Sequence, residues 1–202
     1  MTGHTSIGKV GLYFGSFNPI HLGHLIIANH MLIRADLDEI WIVVTPSSPF
    51  KLNTEMIAEQ HRLQMVKLAV SENPSIFASD VEFKLDRPSY TVDTLRILRD
   101  KFTQIEFSVI LGEDNYQNLH KWKDHSEIVD NHRLLIYPRR LSSSAVVREN
   151  NIENRKAVLY TKAPMIEISS TYIREAIENK QDVQYLLPDP VISYIGNNHL
   201  YE

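Results

Sequence analysis

Short, continuous apolar runs alternate along this chain with longer stretches in which apolar residues recur every three or four positions. The first kind reads as strand buried on both faces, the second as amphipathic helix. Apolar runs predict strands at residues 10–14, 40–44, 107–111, 134–137 and 157–160, with a shorter, weaker one at 76–78. Helical periodicity predicts helices over 22–35, 55–70, 91–102, 171–179 and 190–195, and short helical turns at 115–119 and 126–129. In the first helix Leu22, Leu25, Ile26, Asn29, Leu32 and Ile33 share a face. In the second Met56, Leu63, Val66 and Val70 are in register, and in the third Val92, Leu95 and Leu98. Strand–helix alternation at this spacing predicts an α/β fold: a mostly parallel sheet with helices on both faces and a small helical extension at the C-terminal end. Such sheets bind ligands beyond the C-terminal strand ends, where strand order reverses. The polar stretches 46–54 and 139–154 are long enough to be functional loops.

Composition narrows the class. A chain of 202 residues is expected to form a single domain over 1–202, with residues 1–8 as a flexible tail. It buries about 70% of its unfolded surface and needs no staple to fold. The absence of Cys excludes disulfide frameworks, thiolate metal sites and thiol nucleophiles. No apolar run approaches the about 20 residues of a membrane span, and no signal-peptide core is present, so a cytoplasmic protein is expected. The formal net charge of -4 argues against coating nucleic acid or an anionic membrane, but leaves room for one local basic site.

The sharpest chemical signal follows the first strand, where Gly15-Ser16-Phe17-Asn18-Pro19-Ile20-His21-Leu22-Gly23-His24 runs into the first helix. Gly15 is read as a tight turn that brings backbone N–H groups to a ligand, and Pro19 as a fixed turn before the helix. His21 and His24, three apart, share one face of a helix N-terminus, where free N–H groups and the dipole already attract anions. That makes a phosphate site; a metal-binding histidine pair is the weaker alternative. A second signal is Ile168-Ser169-Ser170-Thr171-Tyr172-Ile173-Arg174, in which hydroxyls at a helix start precede an arginine one turn in. By itself it fits an ordinary N-cap with a surface arginine as well as an anion site. Residues 3–10 nearly spell a nucleotide-binding P-loop, but Val10 replaces the metal-binding hydroxyl and the stretch precedes a strand.

The first stretch resembles the Gly-x-Phe-x-Pro-x-His-x-Gly-His signature of the nucleotidyltransferase α/β-phosphodiesterase superfamily. The second resembles that superfamily's Ile-Ser-Ser-Thr-x-Ile-Arg signature, about 145 residues later and in the expected order. The resemblance implies a Rossmann-like fold and nucleotidyl transfer with release of pyrophosphate. Within the superfamily, Ser89-Tyr90-Thr91-Val92-Asp93-Thr94 resembles a segment of bacterial nicotinate-mononucleotide adenylyltransferases. The resemblance implies that main-chain groups of Tyr90 and Thr91 meet the nicotinate carboxylate. Gly112-Glu113-Asp114 is similar to the family's Gly-Ala-Asp strand end, and Trp122 stands where the family stacks a tryptophan on the pyridine ring. Lys51 resembles the phosphate-binding lysine of the family's loop after the second strand, although Phe50 stands where the family has histidine. The turn Tyr137-Pro138-Arg139-Arg140 departs from the family's Arg-Pro-Gly and leaves Arg139 and Arg140 without an assigned role.

The implied reaction is adenylyl transfer from ATP to nicotinate mononucleotide, giving nicotinate adenine dinucleotide and pyrophosphate in NAD biosynthesis. His21, His24 and Arg174 are the implied catalytic residues. Gly15, Ser16, Phe17, Lys51, Ser169 and Thr171 join them around ATP; Tyr90, Thr91, Asp114 and Trp122 hold the mononucleotide. Mg²⁺ is expected to travel with the ATP phosphates, with no metal ligands of the protein's own. A homo-oligomer is left open, and neither nucleic acid nor membrane is an expected partner. Two rivals are a different transferase of the superfamily, such as a phosphopantetheine adenylyltransferase or a cytidylyltransferase, and a non-catalytic nucleotide sensor.

Overall fold

The computed structural model describes residues 8–47, 56–138, 156–160 and 162–202. Six strands lie among them: β1 (Lys9–Gly15), β2 (Glu39–Val44), β3 (Ile76–Ser79), β4 (Glu106–Gly112), β5 (Arg133–Tyr137) and β6 (Ala157–Leu159). They form one sheet in the order β3-β2-β1-β4-β5-β6. All five pairings are parallel, where the sequence had predicted a mostly parallel sheet. The chain builds outward from β1 to β3, then returns to lay β4 against the other side of β1. Strand order therefore reverses between β1 and β4, the Rossmann-like arrangement.

Side chains alternate across this sheet and divide the core in two. Tyr13, Ile40, Ile42, Val44, Ile110 and Leu135 face one layer, which is completed by α1 (Leu22–Arg34), α2 (Glu59–Val70), α6 (Ser170–Glu178) and α7 (Asp189–Asn197). Val10, Leu12, Val43, Val109, Leu134 and Ile136 face the other, completed by α3 (Thr91–Lys101) and α5 (His125–Asn131). A parallel strand buried on both faces must be apolar at successive positions, which is why these runs were continuous in sequence. The short α4 (Glu113–Gln117) follows β4 directly. Helices α6 and α7 pack into the first layer through Ile173, Val191 and Ile195.

Several expectations shift. The predicted helix 55–70 begins at Glu59, because residues 56–58 are not helical and Ala58 is its N-cap. A 3-10 turn at Val81–Lys84 had no sequence signal. The predicted face of α1 was out of phase. Gly23, Ile27, Ala28 and Met31 are its buried residues, whereas Ile26 and Ile33 are exposed. Apolar residues encircle this helix, so bulk hydrophobicity did not mark its inner side. The structure buries the stripe that includes the small residues Gly23 and Ala28, which permit close approach. The predicted tail falls almost wholly outside the described residues, as do most of 46–54 and all of 139–154.

Candidate active site

Beyond the C-terminal ends of β1 and β4, where strand order reverses, lies a cavity of about 990 Å³. Gly15, Ser16, Phe17, His21 and His24 line it from the β1–α1 connection. Tyr90 and Thr91 line it from the start of α3, Asp114 and Trp122 from the segment after β4. Ser169, Thr171 and Arg174 close it from α6. Lys51, Arg139 and Arg140 lie outside the described residues.

The β1–α1 connection is held from several sides. His21 is the extended N-cap of α1, and the His21 N–H donates to His24 Nδ1 at 3.3 Å as part of a capping box. The two rings stack with centroids 3.7 Å apart and planes 22° from parallel. Gly23 makes room for this stack: a Cβ there would stand 3.0 Å from the His21 ring. Gly15 proves to be glycine for a different reason from the one its position suggested. It ends β1 without a positive φ, and a Cβ would meet the Phe17 ring at 2.8 Å. Phe17 itself takes the left-handed conformation, φ 45°, with its ring edge-on to Tyr13 and His24. Packing inside this aromatic group offsets the steric cost of that backbone.

Helix α6 locks onto the same connection. Ser169 caps it by accepting from the Tyr172 N–H at 3.2 Å. Ser170 Oγ donates to the Pro19 carbonyl at 2.8 Å, and Arg174 Nη1 to the Asn18 carbonyl at 2.8 Å. Arg174 Nη2 lies 3.4 Å from Thr171 Oγ1, and the guanidinium carries further N–H donors on the cavity wall. From the C-terminal end, Tyr201 donates to Asn18 Oδ1 at 2.8 Å, and burial pushes its phenol well above the usual tyrosine range. The two motifs that sequence placed far apart are thus bonded side by side.

The opposite wall is built differently. Tyr90 is the extended N-cap of α3 and gives it no side-chain cap, and Tyr90 and Thr91 both line the cavity. Trp122 is half-buried against the second core layer. Lys123 sits 4.8 Å above the Tyr90 ring and donates to Asp93 at 2.8 Å. Gly112 lets Asp114 fold back over the strand end, since a Cβ there would stand 2.5 Å from its Oδ1.

Two buried charged residues in this region escaped the sequence reading. Glu82, on the cavity wall, accepts from Thr94 Oγ1 at 2.9 Å. Burial pushes its carboxyl above the usual range, with the Thr94 and Thr45 hydroxyls acting against the shift. Arg62 is 1% exposed, and each of its hydrogen bonds to the described residues goes to a backbone carbonyl. A signal for Arg62 did exist: it stands four residues before Val66 and eight before Val70, on the inward stripe of α2.

The chain is similar to known proteins over most of its length. The family model described as Cytidylyltransferase-like matches residues 12–176. A Flavobacterium psychrophilum protein named "Probable nicotinate-nucleotide adenylyltransferase" is 50% identical over 194 residues, covering 96% of this chain and 99% of the relative. A Bacillus licheniformis protein of the same name is 35% identical, covering 96% and 98%. Among solved structures, the Plasmodium falciparum nicotinic acid mononucleotide adenylyltransferase complexed with NaAD superposes with a TM-score of 0.78 at 20% identity, over 96% of this chain and 97% of that one. At that identity the likeness shows the fold.

Proposed function

The chain belongs to the nicotinate-nucleotide adenylyltransferases, within the cytidylyltransferase-like family, and from that membership we propose how its cavity carries the reaction. It transfers the adenylyl group of ATP to nicotinate mononucleotide, giving nicotinate adenine dinucleotide and pyrophosphate, a step of NAD biosynthesis. A phosphate oxygen of the mononucleotide attacks the α-phosphorus; the bond from that phosphorus to the β-phosphate bridging oxygen breaks, and pyrophosphate leaves. The attacking oxygen is ionised at neutral pH and needs no general base. Catalysis then consists of alignment and of stabilising charge on the phosphates.

His21, His24 and Arg174 take the catalytic roles, donating to phosphate oxygens as charge moves onto the leaving group. Gly15, Ser16, Phe17, Ser169, Thr171 and Lys51 complete the ATP side. Tyr90 and Thr91 offer main-chain donors to the nicotinate carboxylate, Trp122 stacks on the pyridine ring, and Asp114 borders the mononucleotide. The observation that carries this reading is the bonding of α6 to the β1–α1 connection through Arg174 and Ser170. It gathers a histidine pair, a helix N-terminus and a guanidinium around one cavity that also holds the Tyr90–Trp122 wall.

Nucleotidyltransferases of this kind use a divalent metal with ATP. The metal is proposed to arrive on the ATP phosphates. Magnesium so bound would neutralise the triphosphate. ATP and nicotinate mononucleotide are the proposed partners, and light scattering tests whether the protein is a monomer or a homo-oligomer. No helix of the described residues is long and apolar enough to cross a membrane, and a cytoplasmic setting is proposed.

The test is pyrophosphate release from ATP with a panel of acceptors. Nicotinate mononucleotide should support release better than nicotinamide mononucleotide, because an anionic carboxylate suits the start of α3. Release with 4′-phosphopantetheine alone would assign the chain to a different transferase, and a failure to release pyrophosphate with any acceptor would favour a nucleotide sensor.

A further inference from the structure

Arg62 is the most deeply buried cation among the described residues, and its hydrogen bonds gather three separate segments. Nη1 donates to the Ser16 carbonyl at 2.6 Å and to the Thr45 carbonyl at 2.8 Å. Nη2 donates to the Pro46 carbonyl at 3.0 Å, and Nε to the Ile57 carbonyl at 3.2 Å. None of these partners is a carboxylate. This buried guanidinium spends its donors on carbonyls, and the neighbouring Glu59 carboxylate acts on it only through space, an arrangement that costs stability and calls for a return elsewhere.

The geometry supplies that return. Ser16 and Thr45 both line the cavity, whereas Arg62 stands behind them and does not. In a trans peptide the C=O of one residue and the N–H of the next point in opposite directions. By holding the Ser16 carbonyl, Arg62 turns the Phe17 N–H away from itself, on a loop whose other side is cavity. The same peptide leads into Phe17, the residue held at φ 45°. The planar fork of arginine can hold several carbonyls at once, which a lysine ammonium on a flexible stem cannot reproduce.

We propose that Arg62 is a positioning residue for adenylyl transfer: it fixes the Ser16–Phe17 peptide so that a backbone N–H faces the ATP phosphates, and it places a positive charge behind them. It touches no substrate; it acts through the loop and through its field. The inference rests on the proposed adenylyltransferase reading.

Two variants test it. Arg62→Lys keeps the charge and loses the fork; Arg62→Met keeps the apolar stem and loses both. With activity normalised to the folded fraction, Arg62→Lys should lower kcat/KM for ATP about 10–100-fold, the scale of a small misplacement at a reacting centre. KM for the mononucleotide should stay within about twofold, and Arg62→Met should be the more impaired of the two. A folded Arg62→Lys protein with unchanged constants for ATP overturns the proposal. So does a variant whose two substrates suffer equally, since that marks general damage to the fold. Should neither variant fold, the native protein decides: binding of a non-hydrolysable ATP analogue should slow hydrogen exchange at the Phe17 amide. Calorimetric binding of the analogue without that protection overturns the positioning role. A wild-type protein that releases no pyrophosphate with any acceptor instead overturns the adenylyltransferase reading itself.

Discussion

At the residue scale, the site depends on how close its side chains are allowed to come. The motif glycines were visible in the sequence, but the reason for Gly15 was not. Its partner is the ring of Phe17, two residues on, folded back by a left-handed backbone that no local pattern announces. Phe17 is 2% exposed and cannot swing aside. Gly15→Ala should therefore cost about 1–3 kcal/mol of stability by overpacking. It should also lower kcat more than the folded fraction explains; a melting curve and steady-state kinetics on the same sample separate the two. The proposed roles of His24 and Trp122 predict opposite kinetic signatures. His24→Ala should lower kcat about 100–1,000-fold with a smaller change in KM for ATP, since its contact strengthens in the transition state. Trp122→Ala should raise KM for the mononucleotide about tenfold through lost stacking. An unchanged KM in that variant would refute the stacking role.

At the element scale, α6 shows what the sequence could and could not say. Its start was legible to within a residue: the helix predicted from residue 171 begins at Ser170, and the Ser169 side chain caps it. Ser169→Ala should cost about 1 kcal/mol, read as a lowered denaturant midpoint with an unchanged slope. What α6 leans on was not legible, because Ser170 and Arg174 bond to carbonyls of residues 19 and 18, which lie 151 and 156 positions earlier in the chain. Helix α1 makes the converse case. Its existence and span were plain, but the side it buries was misjudged, since Ile26 and Ile33 outweigh Gly23 and Ala28 in hydrophobicity and lose to them in fit.

At the scale of the whole molecule, stability and site placement both follow from a sheet buried on two faces. His132, at the entry to β5, is buried with Nδ1 3.0 Å from the Phe107 carbonyl. Burial pulls its imidazole below the usual histidine value, with the Phe107 hydrogen bond opposing. The folded protein then binds fewer protons here than the unfolded chain. The stabilisation is present above the ordinary histidine pKa of about 6.5 and is lost as pH falls below it. Thermal melts from pH 8 to pH 5 should show this fall, and His132→Gln should flatten it; a parallel slope in the variant would assign the effect to other groups.

The sequence by itself determined the α/β class, nearly every element and the two motifs that name the chemistry. Those are properties of local periodicity, turn chemistry and spacing, which each segment carries alone. Only the tertiary structure decided the strand order that opens the cavity between β1 and β4, the inward face of α1, and the bonds that set Arg174 against Asn18 and Arg62 against Ser16. Each of those depends on contacts between residues remote in the chain. There, close packing and the need to satisfy buried carbonyls choose among partners that no single segment can distinguish.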